Sequence, residues 1–153
     1  MVDLAERIPA VPQTTVVAVG FGFMMAGILV KAAIFPVHIW LPAAYAFAPS
    51  AVSSLLAAIA TKASLYVLAR VVFDVFAGVP DLTALALHYA LIPLALGGIF
   101  IGTVLAIYEN DIKKLLAFSS VAQIGYIALG FAVATTAGVA AGFVHIGLSL
   151  IHI

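Results

Sequence analysis

GILVKAAIFPVHIWLP, residues 27–42, decides the fold. An apolar run carries a lysine at position 31 and then meets Pro36. A core helix of a water-soluble protein rarely holds both. A proline removes a backbone donor and clashes with the preceding turn, which places the freed carbonyl near Ala32. A helix break beside an ionisable group is a recurring device of membrane transporters. The stretch therefore predicts a membrane helix that is discontinuous near Pro36.

Composition agrees. Of 153 residues, 66% are hydrophobic and 8% charged, against about 45–50% and about 25% in soluble domains. Mean hydropathy is +1.31. There is too little polar surface to cover a soluble globule of this size, so the chain reads as an integral membrane protein in contact with lipid. Formal net charge is zero, and nothing points to nucleic acid as a partner. Cysteine is absent, which excludes disulfide scaffolds and thiolate metal sites. The opening MVDLAER is mixed in charge and is followed by PAVPQ; it lacks the basic and apolar regions of a secretory signal.

Five apolar segments follow one another: about 16–35, 52–73, 82–108, 112–131, and a fifth from about 135 that is cut off. About twenty residues at about 1.5 Å each cross a hydrocarbon core. Lipid makes such segments helical, because open strand edges would leave backbone groups unsatisfied. The predicted fold is an all-α polytopic membrane protein, read as a fragment of a larger bundle. Residues 1–15 form a loop before the first span. Residues 16–147 hold four complete spans and a truncated fifth. The final LSLIHI, residues 148–153, can be encoded by CTG TCT CTT ATA CAC ATC, a common sequencing-library adapter, and reads as an adapter-derived tail.

Loops are expected at 42–50, 74–81, 109–114 and 133–136. The first and third share one side. Lys113 and Lys114 make that side cytoplasmic by the positive-inside rule, with Arg7 and Arg70 voting against.

The ionisable residues within this apolar sequence carry the functional signal. Lys62 sits near the middle of its span. Insertion scales put a central lysine at about 2.5–3.5 kcal/mol, so it should face hydrated interior or a carboxylate on another helix. Two readings fit it: a proton relay or a structural interhelical ion pair. Lys31 fits a relay group beside the break, or a lysine snorkelling to the interface. His38 fits proton handling or plain packing, and Trp40 fits an interfacial anchor. Arg70 and Asp74 have salt-bridge spacing. Glu109, Asp111, Lys113 and Lys114 read as a solvated turn, with Asp111 placed to cap the next helix. Ser119, Ser120 and Gln123 suit a water path or contact with another helix. Gly125 and Gly130 suit close packing. His88 and His145 are each weak relay candidates. No carboxylate lies at the centre of any span.

Two stretches, LVKAAIFPVHIWLPAAYAFAPSAVSSLLAAIATKASLYVLAR and NDIKKLLAFSSVAQIGYIALG, together resemble the antiporter-like proton-conducting membrane subunits. These are the large subunits of multisubunit sodium/proton antiporters, the D-type among them, and subunits N, M and L of NADH:quinone oxidoreductase. The resemblance covers nearly all of residues 16–147 and implies an antiporter-like bundle of about fourteen helices. It matches Lys31 to the lysine of a discontinuous seventh helix and Lys62 to that of the eighth. It matches His145 to a histidine of the eleventh. The partner glutamate of the fifth helix and the charged residue of the twelfth fall outside this sequence. Where many respiratory members read WLPDAH, this chain has WLPAAY, which looks closer to the D-type antiporter proteins than to subunits L or M and leaves a resemblance to subunit N open; Ala43 and Tyr45 replace an acid and a histidine.

The proton-relay candidates around the break at Pro36 are Lys31, Lys62 and His145, which the resemblance implies, and His38, whose imidazole can titrate near neutral pH. It implies no catalytic, cofactor-binding or metal-ligating residue. The leading expectation is proton translocation in a multisubunit monovalent cation/proton antiporter, with protons and sodium as ions and the other complex subunits as partners. The alternatives are a proton-pumping subunit of NADH:quinone oxidoreductase, itself without redox chemistry, and a structural membrane scaffold. The expected location is a prokaryotic inner or plasma membrane.

Overall fold

A computed structural model describes residues 7–8 and 15–151. The loop expected over 1–15 therefore lies almost wholly outside the described residues, as do positions 152 and 153 of the tail. Six helices run through the described part: α1 (Thr15–Ala32), α2 (Trp40–Phe47), α3 (Ser50–Val75), α4 (Pro80–Tyr108), α5 (Ile112–Ala132) and α6 (Thr136–Ile151). No strand occurs among these residues. Four of the helices, α1, α3, α4 and α5, are long and apolar enough to cross a membrane. The protein is an all-α polytopic membrane protein, as its composition requires.

Burial separates inner from outer helices. Half or more of the most apolar stretch of α3 (50%) and α5 (56%) is buried, against 17% for α1 and 22% for α4. The two inner helices also carry buried polar side chains: Thr61, Lys62 and Ser64 on α3, and Ser120 on α5. Polar groups in a membrane bundle face protein or water rather than lipid, so the sequence places its serines and lysine where the bundle can enclose them.

The break is sharper than the proline alone predicts. α1 ends at Ala32, ahead of Pro36. The Ala33 amide donates to the Val30 carbonyl at 3.1 Å and the Ile34 amide to the Leu29 carbonyl at 3.1 Å. Those two bonds form a Schellman cap, with Ala33 in the left-handed region at φ 56°. The chain then passes Phe35, whose side chain packs on Gly97 and Gly98, midway along α4. The interruption thus sits in the bundle's depth. Trp40, expected as an interfacial anchor, gives its indole N–H to the Val30 carbonyl at 3.0 Å and so bridges the two sides of the break. The acceptors in use are Leu29 and Val30 rather than Ala32.

Residues 42–50 are not the expected loop. α2 occupies 40–47, and α3 begins at Ser50. Leu41 and Tyr45, one turn apart, are buried, and α2 packs on α5. Pro42 sits in the first turn, where its missing N–H costs nothing, and the alanines favour helix. Pro49 ends it: the preceding Ala48 is extended, at ψ 149°, the conformation that a following proline favours.

Three π-helical stretches interrupt the long helices: Leu56–Ala60 and Val71–Val75 in α3, and Leu85–Leu91 in α4. The last lies just before Pro93, whose missing donor and ring would clash with a regular ladder; the wider turn absorbs it. Asp111 Oδ1 accepts from the Lys113 amide at 2.9 Å, the helix cap its position suggested. The Lys113 ammonium, expected in solvent, instead donates to the Ala48 carbonyl at 3.0 Å. This ties the ends of α2 and α5 together on the side where the loop count puts both. At the other end the rings of Phe21 and Phe76 meet at 4.5 Å. Arg70 and Asp74 form the expected ion pair at 2.7 Å, exposed and hence of small energetic weight.

Close packing falls at the glycines the sequence marks. A Cβ on Gly125 would lie 2.8 Å from the Ala95 carbonyl oxygen and 3.0 Å from the Ile99 amide of α4. One on Gly130 would lie 3.0 Å from the Gly138 carbonyl oxygen of α6. Association of helices in lipid rests on such packing, since burial from water no longer drives it.

These contacts set the cost of small substitutions. Gly125→Ala should cost about 1–3 kcal/mol through overpacking against rigid backbone, whereas Gly22→Ala, with nothing within 4 Å of its new Cβ, should be neutral or favourable. Thermal unfolding of the full-length protein in detergent compares them. Ala33→Gly should stabilise by about 1 kcal/mol, because glycine adopts the left-handed region without the Cβ penalty; the same assay reads it.

Candidate functional site

Lys62 is 4% exposed. Its Nζ donates to the Ala57 carbonyl, five residues back on the same helix, at 2.6 Å. The described residues place no carboxylate against it, so the interhelical ion pair weighed from sequence is not formed among them. The π-helical stretch Leu56–Ala60 explains the geometry. A regular ladder points each carbonyl at the amide four residues on, while the wide turn shifts pairing to the fifth residue. A carbonyl carries two lone pairs, and that of Ala57 also takes the Thr61 hydroxyl at 3.4 Å. The lysine is thereby held by a neutral acceptor.

Ala57 is also part of the wall of a cavity of about 260 Å³ between α2, α3 and α5, in which polar side chains are set among apolar surface. Ser50, Ser53, Ser54, Ser120, Gln123 and Lys113 contribute much of its lining. Such a space is large enough for several waters, each needing two to four polar partners. Serine hydroxyls supply them while also back-bonding to their own helices: Ser54 to the Ser50 carbonyl at 2.9 Å, and Ser120 to the Leu116 carbonyl at 3.0 Å. Ser53 joins α3 to the end of α2 by donating to the Tyr45 carbonyl at 3.1 Å.

Gln123 has both roles the sequence left open. It lines the cavity, and its Oε1 lies 2.5 Å from Nε2 of His145 on α6. The His145 ring also meets that of Tyr126 at a centroid distance of 5.9 Å. The structure thus gathers Lys62, through the Ala57 carbonyl, and His145, through Gln123, around one cavity.

Lys31 lies elsewhere. It is exposed on the last turn of α1 and lines a groove with Met24, Ala63 and Ser64, so it faces the residues directly after Lys62 on α3. It makes no hydrogen bond or ion pair with the described residues. His38 is buried beside the break, 5.5 Å from the Phe35 ring, and lines neither space. His88 is exposed on the π-helical stretch of α4 and does not line the cavity. Among the described residues, no cluster of histidine and acidic side chains suits a metal ion.

Comparison with known proteins extends this picture. Residues 1–152 match the family described as "NADH:quinone oxidoreductase/Mrp antiporter, TM". Subunit N of NADH-quinone oxidoreductase from Desulforudis audaxviator (strain MP104C) is 38% identical over 148 residues, which is 95% of this chain and 29% of that protein. Subunit N from Rhodobacter capsulatus is 36% identical over 120 residues, 78% of this chain and 24% of that protein. The chain therefore spans under a third of the length of these relatives. Among solved structures, the Mrp complex from Dietzia sp. DQ12-45-1b superposes with a TM-score of 0.80 at 32% identity, covering 88% of this chain and 24% of the matched one. A broken helix, a buried lysine on the next long helix and a match along nearly the whole sequence agree: the chain belongs to the NADH:quinone oxidoreductase/Mrp antiporter family of membrane subunits.

Proposed function

We propose that this chain forms part of a proton-translocating membrane subunit in an NADH:quinone oxidoreductase, similar in kind to subunit N. The sequence alone put a cation/proton antiporter first. The subunit N relatives reverse that order. The antiporter remains the second reading because the matched solved structure is an Mrp complex. Either assembly supplies other membrane subunits as partners, and its bacterial relatives fit a location in the plasma membrane.

One observation carries the reading. Lys62 is buried in a membrane-spanning helix, paired with a neutral carbonyl on the wall of a cavity lined in part by serines. A purely structural lysine is best held by a carboxylate, which offsets its charge. A lysine on a neutral acceptor can release its proton without leaving an unpaired buried anion. Protons would pass between Lys31, Lys62 and the cavity through water and polar side chains. Charge arriving on one lysine disfavours charge on the other, which couples the two. His145 would continue the path through α6, and His38 would act at the break. Redox chemistry belongs to other subunits of such an assembly.

Two tests separate the readings. The full-length subunit, in its native assembly, is reconstituted in vesicles. NADH with quinone should drive proton uptake or release across the membrane. A response to an imposed sodium gradient alone, with none to NADH, would move the chain to the antiporter class. Lys31→Ala should lower proton translocation at least tenfold at unchanged subunit content, read by a pH-sensitive dye and by native gel. Unchanged translocation would assign Lys31 to the interface as a snorkelling side chain.

A further inference from the structure

We propose that Gln123 is a positioning residue that fixes the tautomer of His145 and so confines proton exchange at the ring to a single nitrogen, Nδ1. The inference rests on the proton-translocating reading above.

The geometry starts from a short side-chain contact between α5 and α6, Gln123 Oε1 to His145 Nε2 at 2.5 Å. An amide oxygen only accepts. The imidazole nitrogen facing it must therefore carry the hydrogen, which leaves Nδ1 as the basic position of the neutral ring. The second ring nitrogen of a histidine is commonly set in this way by the hydrogen bond made at the first. Gln123 is suited to the task because it stands at a boundary. It lines the cavity with Ser120 and Lys113, whereas His145 does not. Gly142 is buried one turn before His145, and Gly130 admits α6 close to α5, so the two helices are held near enough for the contact. The Tyr126 ring at 5.9 Å limits the imidazole's freedom to turn over.

The proton balance is simple. A hydronium or a water chain reaching the ring gives one proton to Nδ1, forming imidazolium. The Nε2 hydrogen stays on the ring nitrogen, donated to the amide oxygen. Return of the ring to neutrality releases the Nδ1 proton, so the same nitrogen loads and unloads. The amide takes up no proton at any point. Without Gln123 either nitrogen can hold the hydrogen, and a fraction of the rings present the wrong one.

The test uses the full-length subunit in its assembly, with histidines labelled by ¹⁵N and the His145 signals assigned by their loss in His145→Gln. At a pH where the ring is neutral, the wild type should give the shifts of a single tautomer hydrogenated at Nε2. Gln123→Leu should give a mixture or the opposite tautomer, and a proton flux reduced several-fold. Gln123→Glu keeps an accepting oxygen and should restore the Nε2-hydrogenated form. A wild-type spectrum showing hydrogen on Nδ1, or one unchanged by Gln123→Leu, would overturn the inference whatever the flux. A tautomer that switches as expected while His145→Gln leaves flux intact would keep the positioning role and remove His145 from the proton path, which is a failure of the functional reading alone.

Discussion

In hydrocarbon a backbone carbonyl without a donor costs several kcal/mol, and this constraint shapes the irregular features of the bundle. Where α1 stops in the depth of the protein, two amides and the Trp40 indole take up the freed carbonyls of Leu29 and Val30. Where α3 widens into a π-turn, the ammonium of Lys62 and the hydroxyl of Thr61 converge on Ala57. The same rule that permits the break also anchors the lysine. Backbone irregularity and buried charge satisfy each other, so that among the described residues the ammonium is held at this depth by backbone rather than by a carboxylate.

The cavity follows from the same constraint. Serines at 50, 53 and 54 sit on the first turns of α3, and Ser120 and Gln123 face them from α5. The Ser53, Ser54 and Ser120 hydroxyls are satisfied by their own helices or by the end of α2, so the wall is stable whether water fills it or not. Lys113, also part of the lining, reaches from the start of α5 to the end of α2 and ties the two together. The break at 33–39 puts α2 at an angle that α1 continued as a straight rod would not permit. Without that redirection Tyr45 and the Ala48 carbonyl would not meet α3 and α5.

Much of the architecture was legible from composition and spacing. Five apolar segments, the break, the Asp111 cap, the Arg70–Asp74 pair and the close approaches at Gly125 and Gly130 all follow from local chemistry. What the sequence concealed depends on tertiary contact. α2 reads as a loop because its proline and its short length hide the one-turn spacing of Leu41 and Tyr45. Lys113 reads as solvated because nothing local shows that the Ala48 carbonyl will be within reach. The acceptor for Lys62 is a backbone atom exposed by a π-turn, and no residue pattern marks such a turn here. Gln123 was visible as a polar side chain on an apolar helix, but its partner on α6 was not. The preference for one assembly over the other came from relatives, since Tyr45 and Ala43 separate the chain from subunits L and M and leave subunit N open.

The central claim is that Lys62 carries protons rather than merely holding α3 in place. The most direct measurement is proton flux through vesicles containing the complete assembly, comparing wild type with Lys62→Ala at matched protein content and verified subunit composition. The account predicts that flux is lost while the assembly stays intact. Flux retained in the variant would contradict it and leave Lys62 as a structural lysine bonded to the Ala57 carbonyl.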